Sequence, residues 1–129
     1  MITASIDHYI YRGIVENDIL SVGMALCRKK CKQELNMSLM VSAEFGRYDI
    51  AVLLLKYGAN VNERYMSWTP LINAIVEGHT EIVKLLLEHG ADVNFGIPSR
   101  NKYPLFTASL VGNIDIIKLL VDHGAKFDV

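Results

Sequence analysis

Two cysteines come nearest to a chemical site by their type and spacing. Cys27 and Cys31 lie four residues apart, which would place both thiols on one helix face as half of a metal site. No second pair of cysteines or histidines follows at ligand spacing. The four histidines are scattered along the chain: His8, His79, His89 and His123. We therefore expect no bound metal, and thiols that are free and buried or half-buried.

Catalytic signatures are missing from the sequence. It contains no G-x-S-x-G, no H-E-x-x-H and no glycine-rich phosphate loop after a strand. Its carboxylates lie mostly at positions that the polar faces of helices explain. The sequence therefore predicts a protein that is not an enzyme and that needs no cofactor.

Composition excludes several other functional classes. The 129 residues, 51% of them hydrophobic, make one domain with a sizeable core. A net charge of −1 gives no overall attraction to nucleic acid or to an anionic membrane. No run of apolar residues is long enough to cross a bilayer, and the N-terminal segment lacks the apolar core of a signal peptide. We expect a cytoplasmic protein, with the nucleus and a host cell's cytosol as alternatives.

One short basic run, Arg28, Lys29, Lys30 and Lys32, is a candidate for binding phosphate or an acidic peptide. The simpler interpretation is a solvated helix C-terminus, where the helix dipole favours positive charge. No interleaved aromatic residue or nucleic-acid motif supports the first interpretation, so nucleic-acid binding stays a minor hypothesis.

The candidate side chains named above must be positioned by helices. The sequence predicts two helices in residues 69–94, which read TPLINAIVEGHTEIVKLLLEHGADVN. Thr69 can accept a hydrogen bond from a free N–H, and Pro70 suits the first helical position. Gly78 ends the first helix and Gly90 the second, because glycine enters the left-handed conformation without a Cβ penalty. The second helix has one broad apolar face: Ile82, Val83, Leu85, Leu86 and Leu87.

The same pattern occurs three times. Gly78 recurs 34 residues later as Gly112 and 32 residues earlier as Gly46. The second helix reads DIAVLLLKYGANVN, then EIVKLLLEHGADVN, then DIIKLLVDHGAKFD. The three copies resemble the ankyrin repeat, with its T-P-L start, its E-I-V-x-L-L-L middle and its G-A-D-V-N end. The resemblance covers about three quarters of the chain. It implies an all-α solenoid of stacked helix–turn–helix units joined by β-turn fingers.

We expect a single ankyrin-repeat domain across residues 1–129, with repeats at 36–63, 64–97 and 98–129. Residues 5–35 keep the outline without the landmarks, and we interpret them as a degenerate N-terminal capping repeat. Asp18 would cap its second helix, and Ser38 the first helix of the next unit. The inward residues of the capping repeat would be Ile6, Tyr9, Ile10, Ile14, Ile19, Val22, Met24, Ala25 and Leu26.

In the last unit, apolar residues would have no further unit to cover them: Ile114, Ile117, Leu120 and Val121. This surface either faces water, or contacts another protein, or continues into a longer repeat array.

The resemblance also implies that a partner protein binds the fingers and the exposed side of each first helix. The residues that match these positions are Tyr65, Met66, Trp68, Asn73, Val76, Glu77, Glu44, Phe45, Arg100, Lys102, Thr107, Leu110 and Val111. Tyr65, Met66 and Trp68 are the strongest candidates, because tyrosine and tryptophan are enriched in binding hot spots. The alternative for Trp68 is packing against a neighbouring finger. Glu44 and Glu77 would form an acidic part of the surface, with Arg100 and Lys102 as a basic part.

Two details depart from the family or add to it. The histidine that follows T-P-L in the family, and ties its loops together, is replaced by Met40, Ile72 and Phe106, so apolar packing must replace its hydrogen bonds. Asn94 lies in a context that resembles the target of an asparaginyl hydroxylase. The alternative is that Asn94 only satisfies backbone groups at its turn.

The sequence thus predicts a non-catalytic protein–protein interaction module, an adaptor or inhibitor, whose partner it does not identify. The alternative function is self-association, or stacking within a longer repeat array, through the last repeat. No membrane contact is expected.

Overall fold

The computed structural model describes residues 8–27, 31–66, 68–95 and 104–125. Within these ranges the chain forms eight α-helices: α1 His8–Val15, α2 Ile19–Leu26, α3 Lys32–Phe45, α4 Tyr48–Lys56, α5 Pro70–Glu77, α6 Thr80–Glu88, α7 Pro104–Val111 and α8 Ile114–Asp122. Consecutive helices pair as four helix–turn–helix units. The first helices, α1, α3, α5 and α7, stack side by side as one layer, and α2, α4, α6 and α8 form a second layer behind them. The prediction of an all-α repeat solenoid is confirmed.

Local signals start and stop the helices largely as predicted. The Thr69 hydroxyl accepts a hydrogen bond from the Ile72 N–H at 3.1 Å, and Pro70 is the first residue of α5. Gly78 ends that helix in the left-handed conformation, with φ of 75°. The Asp18 carboxylate caps α2 by accepting from the Ser21 hydroxyl and N–H, and these bonds hold the pKa of Asp18 below its usual value.

The core is a column of equivalent side chains, one set from each unit. Leu54, Leu86 and Leu120 occupy the same position in α4, α6 and α8, and all three are fully buried. Another column, at the start of the same helices, is Ile50, Ile82 and Ile116. Each such side chain contributes roughly 1.5–3 kcal/mol when it leaves water. Burial at the same repeat position explains why the three copies read so alike.

Helix α3 differs from its prediction. It begins at Lys32 and has 14 residues, so it crosses the predicted boundary between residues 35 and 36. Ser38 lies inside the helix and does not cap it. Its hydroxyl donates to the Glu34 carbonyl at 2.7 Å, and the Ser42 hydroxyl donates to the Ser38 carbonyl at 2.9 Å. Residues 35–43 are all buried because α1, α4 and α5 surround this helix, so its hydroxyls need partners within it.

In the first unit, the predicted core residues Ile10, Ile14, Val22 and Leu26 are buried. Ala25 is half-buried and packs against the core. The prediction is wrong for Tyr9, Ile19 and Met24, which are exposed, Met24 by 74%. The apolar character of these three residues did not by itself indicate which side of α1 and α2 the neighbouring unit would cover. Ile6 lies outside the described residues.

The two cysteines do not share a helix face. Cys27 ends α2 and Cys31 precedes α3, and both are free and exposed, so the prediction of buried thiols is wrong. Lys32 begins a helix instead of following one, and its ammonium donates to the Gly58 carbonyl. The other members of the basic run, residues 28–30, lie outside the described ranges.

The last unit buries Leu120 completely and Ile117 in part, whereas Ile114 is 65% and Val121 is 44% exposed. The expected exposed apolar surface therefore exists on α8, but without Leu120.

None of the helices in the described part of the chain has the length and apolar character needed to cross a bilayer.

Truncating the leucine column should destabilise the whole stack. We expect Leu86→Ala to lower the free energy of unfolding by about 2–5 kcal/mol, because it leaves a cavity between units. Urea denaturation followed by circular dichroism measures this loss. Leu110→Ala is the control, since Leu110 is 72% exposed and its truncation should change stability by less than about 0.5 kcal/mol. Equal losses for the two variants would contradict the core assignment.

The two glycines that end α3 and α5 should respond differently to alanine. Gly46 and Gly78 have similar positive φ, 72° and 75°, so both variants are strained by about 1–2 kcal/mol. A Cβ on Gly46 would also lie 2.7 Å from the His79 ring, whereas a Cβ on Gly78 meets no heavy atom within 4 Å. We expect Gly46→Ala to lose about 1–3 kcal/mol more than Gly78→Ala in the same denaturation measurement.

Adding His79→Ala to Gly46→Ala should recover this excess, so that the double variant loses less than the sum of the single variants. Strict additivity of the two losses would show that the close approach of the His79 ring to Gly46 does not matter.

Candidate protein-binding groove

The connection between α4 and α5 forms a finger whose two sides meet at Tyr65 and Trp68. Tyr65 and Trp68 pair through two backbone hydrogen bonds, Tyr65 N–H to Trp68 carbonyl at 2.9 Å and the reverse at 3.0 Å. Met66 occupies the turn with φ of 59° and is 80% exposed. Positive φ is what the tight turns of hairpins require. This is the β-turn finger that the sequence predicts.

The two aromatic side chains of the finger are less exposed than predicted. Tyr65 and Trp68 are both half-buried and pack against the edge of the core. Part of the Trp68 side chain therefore packs on the core, while packing against a neighbouring finger and a role in binding both stay predictions for this residue. A half-buried ring is held in place and still presents a surface, which is how rigid aromatic anchors act in binding sites.

The finger, α3 and α5 together enclose a groove of about 240 Å³. Its walls comprise six residues that the sequence predicted and one that it did not: Glu44, Tyr65, Trp68, Asn73, Val76, Glu77 and Met40. The two helices supply side chains from successive units, and the finger closes one side. We refer to this feature as the junction groove.

Met40 was missed because its position was interpreted only as a replacement for the family's histidine. It is 1% exposed and contributes an apolar surface to the groove. The predicted apolar replacement is confirmed for Met40 and Ile72, which are buried, and is wrong for Phe106, which is 42% exposed. In the ankyrin family, the residue at this position contacts the neighbouring loops. That feature of the family could have placed Met40 in the groove.

The junction groove is acidic. Glu44 and Glu77 are exposed and lie in the last turns of α3 and α5, where the helix dipoles add further negative potential. No lysine, arginine or histidine side chain is among the described residues of the lining. The nearest arginine in sequence, Arg47, donates instead to the carbonyls of Ile14 and Val15, at 2.9 and 2.7 Å.

Hydrogen bonds between units hold the two sides of the groove together. The Asn73 amide donates to the Met40 carbonyl at 3.3 Å. The His79 ring lies 3.1 Å from the Glu44 carbonyl through its Nε2, which donates in the tautomer that this contact requires. Although the family's loop histidine is absent, the units are therefore tied by polar contacts as well as by apolar packing.

A second series of contacts ties the turns that follow the second helices. Asn62 donates to the Gly90 carbonyl at 3.1 Å and accepts from the Asp92 N–H at 2.7 Å. One unit later, the Asn94 amide donates to the Gly124 carbonyl at 3.3 Å. This is the structural role that we considered for Asn94. Its side chain is exposed, and hydroxylation of Asn94 stays a prediction.

The remaining predicted residues do not line the groove. Thr107 is buried, so its predicted exposure is wrong, because α7 packs against α5. Phe45 is partly exposed at the end of α3. Leu110 and Val111 are exposed on α7, as predicted. Arg100 and Lys102 lie outside the described residues, so the proposed basic part of the surface stays a prediction.

Two residues that the sequence analysis missed form a contact at the next junction. The guanidinium carbon of Arg64 lies 5.0 Å from the centre of the Phe95 ring, a cation–π contact. A shallow groove of about 230 Å³ surrounds them, with Asn62, Thr69 and Asp92 as its other walls. An aromatic residue in a connection is the signal that singled out Tyr65, and the same signal could have identified Phe95.

In the described part of the chain, no group of three or more histidine, cysteine, aspartate or glutamate residues is arranged to hold a metal ion.

Known proteins share the repeats of this chain. The family model described as ankyrin repeats (3 copies) matches residues 39–129. The glycerophosphocholine phosphodiesterase GDE1 of Eremothecium gossypii is 39% identical over 61 residues, which is 46% of this chain and 5% of that protein. The probable E3 ubiquitin-protein ligase XBOS33 of Oryza sativa subsp. japonica is 41% identical over 70 residues, 54% of this chain and 14% of that protein.

The human ankyrin repeat and SOCS box protein 6 is 33% identical over 96 residues, 70% of this chain and 23% of its own length. The chain thus spans less than a quarter of each of these relatives. Ankyrin repeats are generally non-catalytic modules that bind other proteins. The family model covers well over half of the chain, and the matched residues 39–129 extend from α3 through α8, so this protein is a member of the ankyrin-repeat family.

Proposed function

We propose that this chain is a non-catalytic adaptor or inhibitor that binds a partner protein through the junction groove. The observation that carries the proposal is the convergence of six predicted contact residues, from two helices and one finger, on one groove. Their proximity does not follow from packing of the core, because Glu44, Val76 and Glu77 lie on the exposed side of their helices.

The size and walls of the groove suit a protein side chain. Its volume of about 240 Å³ is below the range of roughly 300–1,000 Å³ that is typical of small-molecule sites. Tyr65 and Trp68 offer aromatic surface that is already ordered by the scaffold, so binding loses little conformational entropy there. The exposed Met66 can extend the contact beyond the groove.

The chemistry of the lining favours binding over catalysis. Glu44 and Glu77 are exposed carboxylates, and the described lining contains no nucleophilic serine, cysteine or lysine beside them. Two of the relatives are named as a phosphodiesterase and a ubiquitin ligase, but the match covers only 5% and 14% of them. Such short matches support the interpretation that these repeats form a module that accompanies other domains in those proteins.

Filling the groove should abolish partner binding without unfolding the chain. Val76 is 36% exposed on α5, so Val76→Arg places a long side chain in the groove and leaves the core intact. The wild-type chain should retain partner proteins from a lysate of its own cells. We expect Val76→Arg to retain about tenfold less of them, a loss equivalent to 1.4 kcal/mol of binding free energy. Quantitative mass spectrometry of the retained proteins measures this.

Val52→Arg is the matched control, because Val52 is 39% exposed and lies on the outer helix α4. It should retain the same proteins as the wild type, and circular dichroism should show all three chains folded. If Val76→Arg retains the same proteins as Val52→Arg, the partner binds elsewhere.

A second candidate function is self-association through the last unit. The observation that favours it is a group of exposed apolar side chains on α7 and α8: Phe106, Leu110, Val111, Ile114 and Val121. We propose that this surface stacks weakly on a second copy or on further repeats. Apolar patches of this kind mark interaction surfaces.

Charge on this surface should remove any self-association. We expect the weight-average sedimentation coefficient, measured by sedimentation velocity, to rise with concentration for the wild type and to stay at the monomer value for Leu110→Lys. Leu20→Lys on α2 is the control, since Leu20 and Leu110 are 76% and 72% exposed. A wild-type chain that stays monomeric at high concentration would eliminate this candidate.

A further inference from the structure

We propose that the junction groove binds an arginine side chain presented by a segment of the partner protein. The inference rests on the proposed function and specifies which chemistry the groove selects. It follows from the charge, the aromatic surface and the size of the groove, each of which is a separate observation.

Charge complementarity is the first observation. Glu44 and Glu77 border the groove, and among the described residues neither carboxylate forms an ion pair or accepts a side-chain hydrogen bond. Both lie at helix C-termini, so the negative ends of α3 and α5 add to their field. Arg47 donates to two carbonyls at the end of α1 and is not among the described lining residues. A cationic guest would therefore gain from two carboxylates that the described chain leaves unpaired.

Aromatic surface is the second observation, and it favours arginine over lysine. A guanidinium is planar, stacks on aromatic faces and donates two parallel hydrogen bonds to a carboxylate, whereas an ammonium is a compact and strongly hydrated charge. Tyr65 and Trp68 supply the aromatic surface, and Met40 an apolar one for the aliphatic part of the guest side chain. The chain itself makes such a contact one junction further on, where Arg64 lies over Phe95.

The size of the groove is the third observation. At about 240 Å³ it has room for one long side chain. An acidic guest would meet two like charges, and an apolar guest would leave both carboxylates partly desolvated without a partner. We therefore expect the specificity of the groove to come from a single arginine, with neighbouring residues of the segment contacting Met66 and the finger.

The test begins with a phage-displayed library of random peptides, selected on the intact chain and depleted on Val76→Arg. Peptides that survive depend on the groove. We expect these peptides to be enriched in arginine at one position. Enrichment in acidic or purely apolar positions would overturn the inference and leave the proposed function standing. If no peptide depends on the groove, the proposed function fails, and the inference fails with it.

A selected peptide without tryptophan then allows a measurement at the site itself. Trp68 is the only tryptophan in the chain, so its fluorescence reports on the groove during a titration. We expect replacement of the peptide's arginine by citrulline, which keeps the shape and removes the charge, to weaken binding about tenfold on the wild type, equivalent to 1.4 kcal/mol. Binding of the arginine peptide should also weaken as salt concentration rises.

The double variant Glu44→Gln/Glu77→Gln completes the cycle. It should bind the arginine and citrulline peptides with nearly equal affinity, because the charge of the peptide no longer has a partner. Glu81→Gln/Glu88→Gln is the matched control on the outer helix α6 and should keep the wild-type preference. Equal affinity of the wild type for both peptides, or an unchanged preference in Glu44→Gln/Glu77→Gln, would overturn the inference.

Discussion

Burial of one helix pair against the next is the interaction on which this structure depends. A single unit of about 30 residues orders its backbone at roughly 1–2 kcal/mol per residue and buries only one apolar face. The columns that include Leu54, Leu86 and Leu120 are fully buried because each unit covers the next. Stability is therefore shared between neighbours, and loss of one middle side chain weakens contacts on both sides.

Stacking also creates the candidate site. No single unit contains the junction groove, since Glu44 comes from α3, Glu77 from α5 and Trp68 from the finger between them. The contacts of Asn73 with Met40 and of His79 with Glu44 link the two units across the groove. The groove is thus a product of the repeat spacing, and its chemistry can vary while the core stays constant. Function in such a fold resides in the exposed residues of a rigid scaffold.

In the interaction that we propose, the specificity of the scaffold comes from the acidic and aromatic character of the groove. Half-buried rings on a short finger are preorganised, so a guest pays little ordering entropy when it binds. Under that proposal, the two carboxylates at helix C-termini would select against acidic guests as well as for basic ones. A scaffold that many repeat proteins share can in this way become specific for one partner through a few exposed side chains.

The amino-acid sequence by itself determined the helices, most of their ends and the repeat, because these depend on local signals such as Thr69, Gly78 and the apolar spacing. Resemblance to the family then indicated most of the groove residues. Only the tertiary structure decided how far α3 extends, that Thr107 is buried, that Met24 is exposed and that Arg64 meets Phe95. The physical reason is that local propensity and periodicity act within one element. Which side of that element is covered, and which distant side chain it meets, depends on the neighbouring units that stack against it.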